Sequence, residues 1–311
     1  MKKKIVFVIA VLLLAIVSII SLAACSKAGL GMIRNEDNSI MFEKYGKFNL
    51  VFSDEFEGTE INKEIWNVGY GKEDAVRRGA YYRSTEEYAF VKDGNLTIRT
   101  KYIDDGDNSG WRTSWLDTKT KSGNSYPNFT GYSSKYGYYE VRCIAPPCEG
   151  IWSAFWLWPD EGTGFTPDDV KGGQDGAEID IMESAWYNKK DGSGRSQMVI
   201  HIDNYKDKSY LNLIPDRVPK MHTEFHTFGV LWSQDCYIYY IDGKPIGELK
   251  FGVSDVKEHL ILSVEVGGKP DENGKPVAGK DWAGNPNSND KTKAYDFIID
   301  YVRVYQSEVQ T

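Results

Sequence analysis

The sequence is short of cysteine, of positive charge and of helical periodicity, and each shortage excludes a class of protein. Four cysteines among 311 residues are too few for a disulfide-stabilised scaffold. No C-x-x-C pair or Cys/His spacing predicts a zinc site. With 37 Lys and Arg against 45 Asp and Glu, the net charge of −8 argues against nucleic acid as a partner. No helical pattern runs for more than about three turns, which argues against a helical bundle.

Aromatic residues and glycine are abundant instead, with 20 Tyr, 13 Phe, 9 Trp and 30 Gly. Short runs rich in Val, Ile, Tyr, Phe and Trp alternate with turn signals such as Asp93-Gly94 and Asp242-Gly243. We therefore predict an all-β sandwich or barrel. Strands are expected at residues 95–100, 137–143, 228–232, 237–241 and 297–305. Two long loops, at residues 160–174 and 267–292, are the expected places for function on a rigid sheet.

The N-terminus has the pattern of an export signal. Three lysines at positions 2–4 precede an apolar run over residues 5–24, which at about 20 residues could span a bilayer if left uncleaved. The run ends at Leu22-Ala-Ala-Cys25-Ser26, which resembles a bacterial lipobox. That resemblance implies cleavage before Cys25 and acylation of its thiol, so the protein is expected to be exported and lipid-anchored at the bacterial surface. An uncleaved anchor and a plain secretory signal are the alternatives.

The chain is accordingly divided into four parts. We predict a signal peptide at residues 1–24, a polar tether at 25–47, one folded domain at 48–306 and a tail at 307–311. Cys143 and Cys148 flank Ile-Ala-Pro-Pro and could pair across a turn, but two free thiols fit the sequence equally well.

The segment from Gly176 to Trp186 contains three closely spaced acids. On a strand Glu178 and Asp180 share a face, and a one-residue bulge at residues 181–182 would bring Glu183 to the same face. Crowded carboxylates repel, so at least one pKa should rise and leave a general acid beside an ionised neighbour. Two carboxylates with divided roles are what glycoside hydrolysis requires. The alternative interpretation is a solvent-facing acidic stripe on an edge strand.

Three tryptophans precede this segment. Trp152, Trp156 and Trp158 have the same parity, so on one regular strand they would form a platform on which sugar rings stack. Each of them could equally be a core residue.

These residues resemble glycoside hydrolase family 16 in its laminarinase-like form. Glu178-Ile-Asp-Ile-Met-Glu183 is similar to the bulged signature Glu-x-Asp-x-x-Glu of that family. Similar blocks occur in the family's order at residues 50–58, 91–98, 135–142, 150–156, 225–232 and 299–306. The resemblance implies a β-jelly-roll of two antiparallel sheets with a concave substrate cleft, and retaining endo-hydrolysis of β-linked polysaccharides. It implies no cofactor for catalysis.

The resemblance also implies roles for individual residues. Glu178 matches the nucleophile and Glu183 the acid/base, with Asp180 between them to hold their protonation states apart. The other matches are the groove residue His201, the cleft aromatics Trp152 and Trp156, and a convex-face calcium site at Glu55, Gly94 and Asp300. Trp186 and Tyr88 are further candidate substrate contacts. The sequence departs from the family where Tyr88 stands for a common Asn, and where Ser263, with Glu265 nearby, stands for another.

The sequence therefore predicts a monomeric endo-hydrolase of β-1,3 or mixed β-1,3/1,4 glucan that touches the membrane only through its lipid. A hydrolase of sulfated galactan such as agar or porphyran is the runner-up, and the acidic excess of the chain argues against it. A non-catalytic carbohydrate-binding lipoprotein is the alternative from another class. Transglycosylation would share the covalent intermediate.

Overall fold

The computed structural model describes residues 29–120, 126–160, 173–202, 205, 210–215 and 217–308. The predicted signal peptide, Cys25 and most of the loop at 160–174 lie outside these ranges. No helix within them has the length and apolar character needed to span a bilayer. The strands are β1 Met32–Arg34, β2 Ile40–Phe42, β3 Gly46–Asp54, β4 Asn67–Val68, β5 Ala75–Arg77, β6 Ala80–Tyr82, β7 Ala89–Lys92, β8 Asn95–Ile103, β9 Gly110–Thr113, β10 Trp115–Asp117, β11 Ser133–Ser134, β12 Gly137–Ile144, β13 Ile151–Pro159, β14 Glu178–Ala185, β15 Arg195–His201, β16 Tyr210–Leu213, β17 His226–Trp232, β18 Tyr237–Ile241, β19 Lys244–Leu249, β20 Glu258–Val266, β21 Gly268–Pro270, β22 Pro276–Ala278 and β23 Ala294–Ser307.

Two large sheets form the body of the domain. The outer sheet has 13 strands, with the order β19-β18-β17-β12-β23-β8-β9-β6-β5 along its main path. The inner sheet has eight strands, with the order β16-β15-β14-β13-β20-β10-β4. Apart from the parallel β6–β9 pair, all paired strands are antiparallel. This is the predicted all-β jelly-roll sandwich, and the five predicted strands lie in β8, β12, β17, β18 and β23.

The main core lies between the two sheets and follows the alternation of each strand. On β12, Tyr139, Val141 and Cys143 face this core, whereas Tyr138 faces a second cluster. On β14, Ile179 belongs to the main core while its neighbours Glu178 and Asp180 face the opposite side. Because side chains alternate with a period of two, β14 presents apolar side chains to the core and its acidic side chains to the opposite face.

The prediction of a tether at residues 25–47 is wrong for residues 29–47, the part that the structure describes. β1 and β2 pair with each other, and β2 pairs with β3, so this segment extends the outer sheet. Leu30, Ile40 and Phe42 are buried on the outer face of that sheet, where the Phe42 ring lies 5.2 Å from that of Tyr138. These three apolar residues stand isolated in a polar stretch, so the sequence showed no periodic pattern there. They cover an apolar patch that exists only once the outer sheet has folded.

The three cysteines of the described chain, Cys143, Cys148 and Cys236, are buried free thiols. Cys143 and Cys148 therefore do not form a disulfide, and the alternative of two free thiols is the one found. The loop at residues 267–292 contains the β21–β22 hairpin and a short 3₁₀ turn at Pro286–Ser288, and it connects β20 of the inner sheet to β23 of the outer sheet.

Candidate active site

The three acids of the Glu178–Glu183 segment share the open face of the inner sheet because β14 contains a bulge. Asp180 pairs with Val199 and Glu183 pairs with Gln197, so two residues of β14 stand opposite one residue of β15. The β13 register shifts at the same place. The extra residue changes the parity of the strand, as predicted, and turns Glu183 to the side of Glu178 and Asp180.

The three carboxyls differ in their hydrogen-bond partners. Glu178 accepts a hydrogen bond from the Tyr205 hydroxyl, and Glu183 accepts one of 2.7 Å from Nε2 of Gln197. Asp180 is only 3% exposed, and its Oδ2 has no hydrogen-bond partner among the described residues. Asp180 is therefore the carboxyl of the three whose ionised form is least stabilised by donors.

Burial in the crowded site raises the pKa of all three carboxyls. Neighbouring negative charges raise the pKa further, those of Glu178 and Glu183 acting on Asp180. The hydroxyl of Tyr205 and the amide of Gln197 act in the opposite direction on Glu178 and Glu183. The three groups titrate together, so the site retains at least one proton near neutrality and can act as a general acid.

His201 lies beside the acids, as predicted. It stands opposite Glu178 in the β14–β15 register, and its Nε2 is 3.6 Å from Oδ2 of Asp180. Burial lowers the pKa of His201 to about 4, so the imidazole is neutral at neutral pH. Glu178, Asp180 and His201 each offer one potential metal-ligand atom, and these three atoms all lie within 4.8 Å of one another. One cation could be held at that spacing.

A cavity of about 490 Å³ lies over the three acids. Side chains from β13, β14, β15, β16 and β20 form its floor. Its lining comprises Arg77, Arg78, Trp152, Ala154, Trp156, Glu178, Asp180, Glu183, Trp186, Gln197, Val199, His201, Tyr205, Asn212, Ser263, Glu265 and Trp282. A concave site with converging carboxyls and aromatic walls has the chemistry to bind a sugar chain and to cleave a glycosidic bond.

The sequence profile of the glycosyl hydrolases family 16 matches residues 78–302. The chain belongs to glycosyl hydrolases family 16. This match covers both sheets and all three acids, and it confirms the predicted family, together with the predicted class of enzyme, a glycoside hydrolase.

Several relatives of this family 16 chain align over most of its length. The beta-glucanase of Rhodothermus marinus is 25% identical over 291 residues, a match that covers 85% of this chain and 87% of the relative. The glucan endo-1,3-beta-glucosidase A1 of Niallia circulans is 25% identical over 291 residues, which is 84% of this chain but 38% of the relative. Among solved structures, the laminarinase catalytic domain of Thermotoga maritima MSB8 superimposes with a TM-score of 0.61 at 26% identity, covering 84% of this chain and 99% of that one.

The aromatic residues of this family 16 cleft have unequal access to the cavity. Trp152 and Trp156 line it as predicted, but they are only 2% and 7% exposed. Trp186, also predicted, is 38% exposed, and Trp282 is 36% exposed. The Trp282 ring lies 5.1 Å from that of Trp152 and 5.9 Å from that of Trp186. The aromatic surface open to a sugar therefore comes mainly from Trp186 and Trp282.

The predicted contact at Tyr88 is wrong. Tyr88 is 3% exposed, precedes β7 at the outer sheet and does not line the cavity. Its backbone carbonyl accepts a hydrogen bond from the amide of Arg99 on β8. The other departure from the family is in the cleft, where Oγ of Ser263 accepts a 3.0 Å hydrogen bond from the indole of Trp156.

The predicted calcium ligands are engaged in ion pairs. The Glu55 carboxylate accepts hydrogen bonds of 2.9 and 2.7 Å from Arg303, and Asp300 pairs with Arg142. Gly94 occupies the left-handed turn between β7 and β8, with φ +72°. Both carboxylates are paired with guanidinium groups in this arrangement, and the predicted structural calcium stays a prediction.

The cleft residues that were not predicted from the sequence include Arg77, Arg78, Gln197, Tyr205 and Trp282. Trp282 lies in the loop that was expected to carry function, and Tyr205 follows His201 by four residues, so both had a positional signal. Arg77 and Arg78 are about 100 residues from the acidic motif in sequence, and nothing local indicated that they would reach it.

Proposed function

We propose that this protein is an endo-β-glucanase that hydrolyses β-1,3 or mixed β-1,3/1,4 glucan with retention of configuration. The single observation that carries the proposal is the bulged strand β14, which brings three carboxyls with raised pKa, one of them buried and two partly buried, to one face of a cleft. The substrate class is supported by relatives named beta-glucanase, glucan endo-1,3-beta-glucosidase and laminarinase.

The proposed reaction assigns one role to each acid. Glu183 gives its proton to the leaving glycosidic oxygen while Glu178 attacks the anomeric carbon and forms a glycosyl-enzyme. Glu183 then removes a proton from a water molecule whose oxygen attacks the anomeric carbon, and the bond between that carbon and Glu178 breaks. Burial raises the pKa of both glutamates, to about 8 for Glu178 and about 7 for Glu183, and a donor opposes the rise at each, Tyr205 at Glu178 and Gln197 at Glu183. The two carboxyls titrate together, so the assignment of the acid/base role to Glu183 rests on its position in the family signature.

Asp180 has a supporting role. Its burial, and the lack of a donor to Oδ2 within the described chain, favour its protonated form. A neutral Asp180 separates the two glutamates without adding a third negative charge, and its proton is available for a hydrogen bond to either of them.

Neutral glucan is preferred over sulfated galactan because of the charges in the cleft. A sulfated substrate would call for cationic side chains, and Arg77 and Arg78 do line the cavity. Both of them, however, pair with the carboxylate of Glu265, and the three acids of β14 lie in the same cavity. The surplus of acidic groups favours an uncharged sugar chain.

The test is an incubation of the purified domain with laminarin, barley glucan, lichenan, agarose and xyloglucan, followed by reducing-sugar assay and product sizing. We expect short oligosaccharides from the first three substrates. The first product observed by NMR should be the β-anomer, because a double displacement retains configuration. Binding without new reducing ends would identify a carbohydrate-binding protein instead, and an initial α-anomer would rule out retention.

We further propose that the enzyme is exported and held at the membrane by a lipid on Cys25. Since β1 begins at Met32, the chain between the lipid and the folded domain could extend at most roughly 25 Å. The catalytic domain would then work close to the membrane surface. Cys25→Ala should release the protein from the membrane fraction or leave an unprocessed precursor. Mature protein that stays membrane-bound without lipid would contradict the proposal.

A further inference from the structure

The cavity contains a second charged cluster that the proposed reaction does not use. Glu265 on β20 is 5% exposed, and its carboxylate accepts a 2.9 Å hydrogen bond from Nε of Arg77 on one oxygen. Its other oxygen accepts a hydrogen bond from Nε of Arg78. One carboxylate thus holds two guanidinium groups, each on its own oxygen.

The backbone builds this cluster by a close approach of two segments. The amide of Gly79 donates a 3.0 Å hydrogen bond to the Val266 carbonyl. A Cβ at Gly79 would lie 2.3 Å from the Gly267 carbonyl oxygen, so only glycine allows the approach. Arg78 adopts a left-handed conformation, with φ +50°, that is uncommon for a residue with a side chain. The turn between β5 and β6 is therefore pressed against the end of β20 with both arginines directed over it.

Each arginine also contacts the aromatic floor of the cleft. The Arg78 guanidinium lies 5.0 Å from the centroid of the Trp152 ring and 3.6 Å from the Asp281 carboxylate. The Arg77 guanidinium lies 5.5 Å from the Trp115 ring. Trp152 in turn acts on Glu183 and lowers the pKa of that carboxyl. Arg78 therefore fixes the tryptophan that contacts the acid/base.

The arginines and Glu265 shift the pKa values of Glu178 and Glu183 in opposite directions. Arg77 lowers the pKa of Glu178 and Arg78 lowers that of Glu183, whereas Glu265 raises both. Other titratable groups near the pair are Asp180 on the same strand, His201 on β15, Tyr205, and Glu258 on β20, whose pKa is raised in part by Glu178.

We propose that Arg77, Arg78 and Glu265 form a positioning cluster for the catalytic pair, in which Glu265 sets how much of the arginines' positive charge reaches Glu178 and Glu183. This inference rests on the proposed function. None of the three residues is required to touch the reacting bond. Arg77 supports the charge of the nucleophile, and Arg78 holds Trp152 against the acid/base and limits its affinity for a proton.

The test compares two neutral substitutions with opposite expected signs. In Glu265→Gln the arginines lose their counter-charge, so both limbs of the kcat/KM–pH profile should move to lower pH by about half a unit to one unit. In Arg78→Gln the acid/base loses a cation, so the basic limb should move to higher pH by a similar amount. Arg78→Lys retains the charge and should keep the profile close to that of the unsubstituted enzyme.

Arg99→Gln is the matched control. Arg99 pairs with Asp296 at 2.7 Å on the outer sheet, so its replacement changes the net charge equally but should leave the profile unchanged. Shifts of the same sign in Glu265→Gln and Arg78→Gln, or shifts no larger than the control, would overturn the inference. If Glu265→Gln does not fold, Arg78→Gln alone decides, since its side chain is 40% exposed. Carboxyl ¹³C NMR titration of the substrate-free protein measures the same shifts, so an inactive enzyme would reject the proposed function and leave this test valid.

Discussion

Buried acids occur on both sheets, and their surroundings differ in the supply of hydrogen-bond donors. On the outer sheet, Glu140 is 1% exposed and is surrounded by donors. It accepts hydrogen bonds of 2.5 Å from Arg34, 2.9 Å from the Tyr138 hydroxyl and 2.9 Å from the Tyr301 hydroxyl. On the inner sheet, Asp180 is equally buried, but its Oδ2 has no donor among the described residues.

The difference shows what distinguishes a structural acid from a reactive one in this fold. A carboxylate with a cation and two hydroxyl donors ties neighbouring strands together. A carboxyl deprived of donors and surrounded by other acids takes up a proton instead. The first arrangement stabilises the fold, whereas the second costs stability and supplies acid–base chemistry.

The largest expected effect is the loss of activity on removing either reacting acid. Glu178→Ala should reduce hydrolysis by roughly 10⁴-fold or more, because the glycosyl-enzyme cannot form. Glu183→Ala should still react with an activated aryl glycoside, and added azide should give a β-glycosyl azide. Asp180→Asn should fall between wild type and these variants.

The stereochemistry of the azide product checks the assignment of roles. An α-azide from Glu183→Ala together with a β-azide from Glu178→Ala would exchange nucleophile and acid/base. Thermal unfolding of each variant should match the unsubstituted enzyme or exceed it, which would show that the lost activity is not a loss of folding.

The second prediction concerns the ion pair of the structural acid Glu140. Arg34→Met leaves Glu140 buried without its cation and should reduce the free energy of unfolding by about 3 kcal/mol. Activity per folded molecule should be unchanged, because the cluster lies on the outer sheet. Lys47→Met, which breaks the exposed Lys47–Asp37 pair, is the control and should have a much smaller effect. Equal stabilities of Arg34→Met and wild type in urea would show that β1 is not anchored by this cluster.

The third prediction is a pH dependence of stability. The pKa values of the β14 carboxyls are raised by folding, so the folded state binds more protons than the unfolded state above about pH 4. Stability should therefore fall as the pH rises from about 5 to 8. Asp180→Asn removes one of these groups and should gain on the order of 1–3 kcal/mol relative to wild type at the upper end.

Melting temperatures measured across this range check that prediction. Asp255→Asn is the control, because a hydrogen bond from Lys135 lowers the pKa of that exposed carboxyl, and its loss should give no gain at high pH. If the stability of Asp180→Asn changes with pH in the same way as that of wild type, Asp180 is not the group that binds an extra proton in the folded state.

The smallest expected effect concerns the open wall of the cleft. Trp282→Ala should weaken substrate binding by about 0.5–1.5 kcal/mol and should change the melting temperature little, because the ring is 36% exposed. Trp152→Ala should instead cost stability, since that ring is 2% exposed and lies beneath Arg78. Inhibition constants for an oligosaccharide, measured beside melting curves, separate the two effects. A Trp282→Ala variant that binds normally would remove it from the substrate wall.

The reactive acids could be predicted because their signal is local. Glu178, Asp180 and Glu183 lie within six residues, and strand parity indicated that a bulge at residues 181–182 would bring them to one face, which is the bulge that the structure contains. His201 stands opposite Glu178 on the neighbouring strand, a position that follows from the family resemblance. The jelly-roll of two antiparallel sheets also followed from that resemblance, because composition by itself indicated only a sandwich or barrel.

The wrong and missing predictions have a common physical cause, which is that long-range contacts leave no local pattern. Leu30, Ile40 and Phe42 look like scattered apolar residues of a tether until the outer sheet provides the surface that buries them. Tyr88 aligned with a substrate contact, but the register of β7 and β8 holds its backbone at the outer sheet.

What the sequence determined by itself was the alternation of strands, the parity of the three acids and hence the reaction they support. Only the tertiary structure decided which buried acids receive donors. Arg34 reaches Glu140 across 106 positions, and Arg78 reaches Glu265 across 187. Burial raises the pKa of the β14 carboxyls and the donors that folding brings beside them oppose the rise, so the surroundings of each acid depend on contacts that no short segment encodes.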